Sequence, residues 1–126
     1  MITETMIRKW EENMLAQGKQ ISDWADHKNW YPCGRAYVVI RGTEPLVRLI
    51  KKLDQSPLEN QGSSYYTFGR FSIFKGSYGG YELAFRYPAK DAYESQSLNF
   101  EEPLAQYLSE LLTKEGIKNH VRTWID

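Results

Sequence analysis

The residues best equipped for chemistry sit in one polar loop and along the strands. The loop "YESQS" (93–97) runs straight into "LNFEEPLAQYLSELL", an amphipathic helical stretch. Gln96 and Ser97 precede a helix start, where free backbone N–H groups and the helix dipole favour an anion. Capping by Ser97 or Asn99 is the competing structural reading, and Asn99 with Glu102 makes a capping-box-like pair. Asn99, Glu102 and Pro103 suffice to start the helix, which leaves Gln96 without a structural duty. Tyr93, Gln96 and Ser97 are therefore candidate ligand-binding residues. The second set is cationic: Arg35, Arg41, Arg70, Arg86 and Arg122 all fall in predicted strands. A guanidinium grips phosphate or carboxylate through two parallel bonds and stacks on aromatic rings.

Covalent chemistry has weaker footing. Cys33 lies six residues after His27, a conceivable Cys–His nucleophile pair. A buried cysteine at a strand start explains Cys33 more simply. Two histidines and one cysteine make no zinc signature. There is no P-loop, no dinucleotide-binding glycine pattern and no G-x-S-x-G elbow. "SPLENQG" and "KDAYES" hold acids but no convincing carboxylate pair. No catalytic residue, metal ligand or cofactor is assigned, and a small enzyme using Ser97 or Cys33 stays open only as an alternative.

These residues need a scaffold, and 126 residues suit one domain. A hydrophobic fraction of 41%, with nine tyrosines, five phenylalanines and four tryptophans, can build a core without staples. A lone cysteine excludes an internal disulfide and fits a reducing cytoplasm. Lys plus Arg equals Asp plus Glu at 16 each, which argues against gripping nucleic acid by bulk charge. The start "MITETMIRKWEENM" has no apolar run, and no stretch approaches the ~20 apolar residues of a membrane span.

Apolar positions in 2–17 recur at spacings of three and four, predicting a helix that Gly18 stops. A second short helix is expected in 19–32. Residues 35–41 alternate as a strand, and "TEPLVRLIKKL" follows as a helix with Thr43 as its cap. Strands are expected at 65–74 and 81–87, joined by the reversal "KGSYGG". The longer run "KGSYGGYELAF" resembles the aromatic-glycine motif of RNA-recognition domains, but an extra glycine shifts the rings, so it reads as a hairpin turn. After the helix at 99–115, Gly116 and Ile117 fit a helix end, and 119–125 is the last strand. The predicted fold class is α+β: a helical arm (1–31) packed on a ferredoxin-like split βαβ domain (32–126). That plan has four antiparallel strands in the order 4-1-3-2, with two helices on one face.

Strand parity assigns the faces. Ala36, Val38, Ile40, Leu83, Phe85, Val121 and Ile125 should meet the helices. Arg35, Tyr37, Arg41, Arg86, His120, Arg122 and Trp124 should lie on the other face. Phe68 and Arg70 join them if Phe71 and Ile73 point inward. An uncovered apolar patch seldom stays exposed, so the first expectation is that Trp10, Met14, Trp24 and Trp30 of the arm cover this open face. A homodimer through it and a ligand surface are the other readings.

"YPCGRAYVVI" and "YESQSLNFEEPLAQYLSELLTKEGIKNHVRTWID" together resemble a group of small uncharacterised proteins of phages and bacterial mobile elements. The matching positions are Cys33, Gly34, Ala36, Gln96, Ser97, Glu102, Ala105, Gly116, Ile117 and Asp126, within 32–126. Arg35 replaces the group's usual aromatic residue, and Trp124 stands where its C-terminal arginine would be. The resemblance implies an accessory protein in the cytoplasm of a bacterial host, binding a host or defence component. The expected function is thus non-enzymatic binding of a host protein or a small anionic ligand such as a nucleotide. A single-stranded nucleic-acid module using Arg35, Tyr37, Arg41, Arg122 and Trp124 is the alternative.

Overall fold

A computed structural model describes residues 1–24, 34–56, 65–76, 80–88 and 98–125; at 23, 24, 98, 99 and 125 it describes the backbone. Helix α1 (Glu4–Trp24) is a single helix. Its buried stripe of Ile7, Trp10, Met14 and Ile21 follows the helical period. Gly18 does not stop it, contrary to the reading of the sequence. The missing side chain serves packing instead: a Cβ at Gly18 would meet the Tyr87 ring at 2.5 Å. The second helix expected in 19–32 is therefore absent up to Trp24, and the rest of that stretch lies outside the described residues.

Strand β1 (Gly34–Arg41) alternates buried and outward residues. Helix α2 (Pro45–Lys52) begins one residue later than a Thr43 cap would set. Glu44 is the N-cap and makes no side-chain bond; its carbonyl accepts from the Val47 amide at 3.0 Å, and Pro45 at the first helical position has no N–H to satisfy. Leu46, Val47 and Ile50 of α2 are buried.

The predicted strand 65–74 is two strands, β2 (Tyr65–Phe68) and β3 (Phe71–Lys75). Gly69 turns the chain at φ +58°, a conformation that L side chains avoid and that the first central position of a II′-type turn demands. The Arg70 amide donates to the Glu11 carboxylate at 2.7 Å, so α1 holds this turn. Parity breaks here. Phe68 and Phe71 pair across the turn, and both are buried. Phe68 therefore leaves the open face, and Arg70 sits in the turn, correcting their predicted placement.

Strand β4 (Gly80–Phe85), helix α3 (Leu98–Lys114) and strand β5 (Asn119–Ile125) complete the chain. Asn99 lies inside α3 rather than before it, and Pro103 is within the helix. At its end the Ile117 amide donates to Leu112 and the Gly116 amide to Thr113, with Gly116 at φ +77° and Ile117 buried. This is the expected glycine helix end.

The fold is α+β. The sheet is antiparallel and has five strands, not four, in the order β2-β3-β4-β1-β5. Inward residues Val38, Ile73 and Leu83 are 0, 0 and 1% exposed and share one core with the helices. Helix α1 packs there too, beside α3: Met14 lines a small cavity with Ala36, Leu83, Phe85, Leu104 and Leu108. Trp10 and Met14 are thus on the helix-covered face, which overturns the expectation that these two cover the opposite face; the Trp24 side chain and Trp30 lie outside the described residues. Gly18, Glu11 and the turn at Gly69 give α1 a built seat on that side. Among the described residues, no helix crosses the other face.

The outer edge of β2 is closed by 54–56. Gln55 donates its amide to the Thr67 carbonyl at 2.7 Å, and Thr67 donates to the Asp54 carboxylate at 2.9 Å. The Ser56 hydroxyl also donates to Asp54, at 2.6 Å.

Candidate functional site

The outward side chains of the sheet form rows. Register places Tyr65 opposite Phe74, Phe74 opposite Glu82, Glu82 opposite Val39 and Val39 opposite His120. In the neighbouring rows Tyr37 faces Arg122 and Arg35 faces Trp124. Rings interlock across the strands: Tyr37 meets Phe74 edge-on at 5.3 Å, and Tyr65 stacks on Phe74 at 6.3 Å. The Arg122 guanidinium lies 4.3 Å from the centre of the Trp124 ring and 3.9 Å from the Glu82 carboxylate. Tyr65 and Trp124 are 41 and 42% exposed.

A groove of about 1040 Å³ opens at one end of this face. Arg41, Lys118, His120, Arg122, Val39 and Glu82 line it. Gly80 and Gly76 lie in its wall. Four side chains able to donate to an anion thus surround one acid. Glu82 is 6% exposed and makes no hydrogen bond with its carboxylate among the described residues; Arg122 is its recorded partner. Such an acid in a groove wall has acceptor positions to spare.

The structure brings some of the sequence-predicted residues together and separates others. Tyr37, Arg122 and Trp124 are neighbours on β1 and the edge strand β5, and Arg41 joins Arg122 in the groove. Arg35 lies at the far end of β1, exposed beside Trp124 and close enough to Glu101 to act on its charge. Arg86 is just past β4, where its amide donates to the Arg70 carbonyl at 2.8 Å, well away from the groove. Tyr93, Gln96 and Ser97 lie outside the described residues, as do Cys33 and His27. Lys118, Glu82, Phe74 and Tyr65 are the residues that the sequence reading does not single out as site members. Glu82 carries one readable signal, an acid at outward parity in the middle of "YELAF".

Among the described residues the strongest carboxyl shift lies on the covered side. Burial pushes Glu101 of α3 up to about 7, and the nearby Arg35 offsets this in part. Among the described residues no group of three or more His, Cys, Asp or Glu gathers as for a metal ion. No described helix is long and apolar enough to cross a membrane. Comparison with known protein families, with curated proteins and with solved structures finds no match for this chain.

Proposed function

We propose that the protein is a non-enzymatic binder that holds a small anionic ligand in the groove between β1, β4 and β5. One observation carries this reading: Arg41, Lys118, His120 and Arg122 converge on one concavity in a chain whose formal net charge is +0. Cations concentrated in a cleft focus potential on an anion in a way that evenly scattered charges do not. The resemblance over 32–126 supplies a context, a phage or mobile-element accessory protein that withholds such a ligand from a host or defence component. We also read β5-β1-β4-β3 as a ferredoxin-like split βαβ sheet to which β2 is appended.

Calorimetric titration of the whole chain with pyrophosphate and with nucleoside diphosphates at low salt tests the proposal. Saturable binding is expected, with the ligand recovered unchanged. An Arg41→Ala, Lys118→Ala double variant that keeps its melting temperature should bind at least about tenfold more weakly, the loss of roughly two charge-assisted contacts. No binding, or binding indifferent to both substitutions, sinks the reading.

The row Tyr65–Phe74–Tyr37 supports a second reading, a stacking platform for a single nucleic-acid strand with Arg35, Arg122 and Trp124 beside it. It predicts affinity for short oligonucleotides that falls steeply as salt rises. Affinity unchanged by a Tyr37→Ala, Trp124→Ala double variant removes it.

A further inference from the structure

Glu82 does not belong to a plain anion trap. A site selected only for negative charge gains nothing from a carboxylate in its wall, because like charges repel. Yet Glu82 is nine-tenths buried and lines the groove among Arg41, Lys118, His120 and Arg122. Arg122, at 3.9 Å, is beyond hydrogen-bonding distance of it. A desolvated acceptor that accepts no hydrogen bond among the described residues is costly unless a ligand supplies one.

We propose, building on the anion reading above, that the ligand is a phosphorylated ribonucleoside and that Glu82 accepts hydrogen bonds from its ribose hydroxyls. The chemistry of the face falls into three zones that match the three parts of such a molecule. Arg41 and Lys118 form the cationic end for phosphate, with His120 beside them as a further hydrogen-bonding side chain. Glu82 comes next along the face, as the acceptor for neighbouring hydroxyls. The interlocked rings of Tyr37 and Phe74 follow, on the strand positions adjoining Val39 and Glu82, as the surface for a base. From Arg41 to Tyr37 is four residues of β1, about 13 Å at strand rise, comparable to the reach of a nucleoside diphosphate from terminal phosphate to base. A carboxylate on a ribose hydroxyl is a recurrent solution to the same recognition problem in nucleotide-binding folds.

The test uses pyrophosphate, ADP and 2′-deoxy-ADP, each titrated into the wild-type chain and into Glu82→Gln. ADP should bind the wild type about tenfold more tightly than 2′-deoxy-ADP, the worth of one good hydrogen bond to a charged acceptor. Glu82→Gln should erase most of that difference and leave pyrophosphate bound at least as well, because a negative charge has gone. Unchanged far-ultraviolet circular dichroism and melting temperature confirm that the variant is folded. Equal wild-type affinity for ADP and 2′-deoxy-ADP overturns the ribose assignment while the anion site stands. Equal loss of pyrophosphate and ADP in Glu82→Gln gives Glu82 a structural role and also overturns it. Failure of all three compounds to bind removes the anion site itself.

Discussion

The same five strands present two unlike surfaces. On the covered side Val38, Ile73 and Leu83 line up across β1, β3 and β4, almost fully buried in the core shared with the helices. On the other side the neighbouring positions are Tyr37, Phe74 and Glu82, with Arg122 and Trp124 on β5. Strand pleating alone separates them, since successive side chains point in opposite directions. The difference shows where each face spends its side chains. Among the described residues the apolar core is concentrated under the helices, and the other face carries charge and rings.

This division can be broken by substitution. Leu83→Ala on the covered side should cost about 3 kcal/mol, through lost burial and the cavity it leaves. Urea unfolding followed by circular dichroism measures it; a cost near zero would mean that the covered face is not the core. Gly69→Ala comes next. Its φ of +58° alone should cost about 1–2 kcal/mol. The added methyl would also press on the Glu11 carboxylate that holds the Arg70 amide. Unfolding of Glu11→Gln beside Gly69→Ala separates strain from the lost anchor.

Acid and base sharpen the comparison further. Glu101 on the covered side holds its proton more tightly folded than unfolded, with a folded value of about 7 against an ordinary 4.5. Its contribution is therefore complete below about pH 4.5 and fades as pH rises through about 7. Melting temperature should fall over that window, and Glu101→Gln should flatten the decline. Asp54 runs the opposite way. Burial alone would raise it, but hydrogen bonds from Ser56 and Thr67 hold it below the ordinary 3.8. Its contribution is present above that value and lost on acidification through its folded pKa, so Asp54→Asn should blunt the acid limb. The smallest effect belongs to the open face: Trp124→Ala should change unfolding free energy by no more than about 0.5 kcal/mol. A cost matching that of Leu83→Ala would dissolve the distinction between the faces.

Much of this was legible in the residues because pleat parity is rigid. Alternation in "RAYVVIR" and "NHVRTWI" assigns Arg35, Tyr37, Arg41, Arg122 and Trp124 to one side, and register agrees. The rule failed where the chain turned inside an uninterrupted apolar pattern. "YYTFGRFSIF" reads as one strand because the turn at Gly69 is held by Glu11, 59 residues away and invisible to any local window. Gly18 misled for a related reason. A glycine near the end of a helical pattern reads as a stop, but here its bareness admits Tyr87. The position of α1 was equally hidden, since an apolar stripe says that a helix is buried and not against which side. Glu82 escaped notice because one acid in a strand has no motif; only its burial beside four donors makes it conspicuous.

The pairing of Gly34 with Ile125 has a consequence for how the chain is assembled. β1 lies between β4 and the edge strand β5, so this side of the sheet is stitched from widely separated parts of the sequence. The β2–β3–β4 meander is local and can zip up on its own, whereas β1 must wait for residues made much later. Non-local pairing of this kind slows folding, because loop closure precedes the contacts that reward it. Helix α1 is in the same position: it is synthesised well before its neighbour α3. Until then its apolar stripe has no permanent cover, which makes the newborn chain, rather than the finished one, the form most exposed to aggregation.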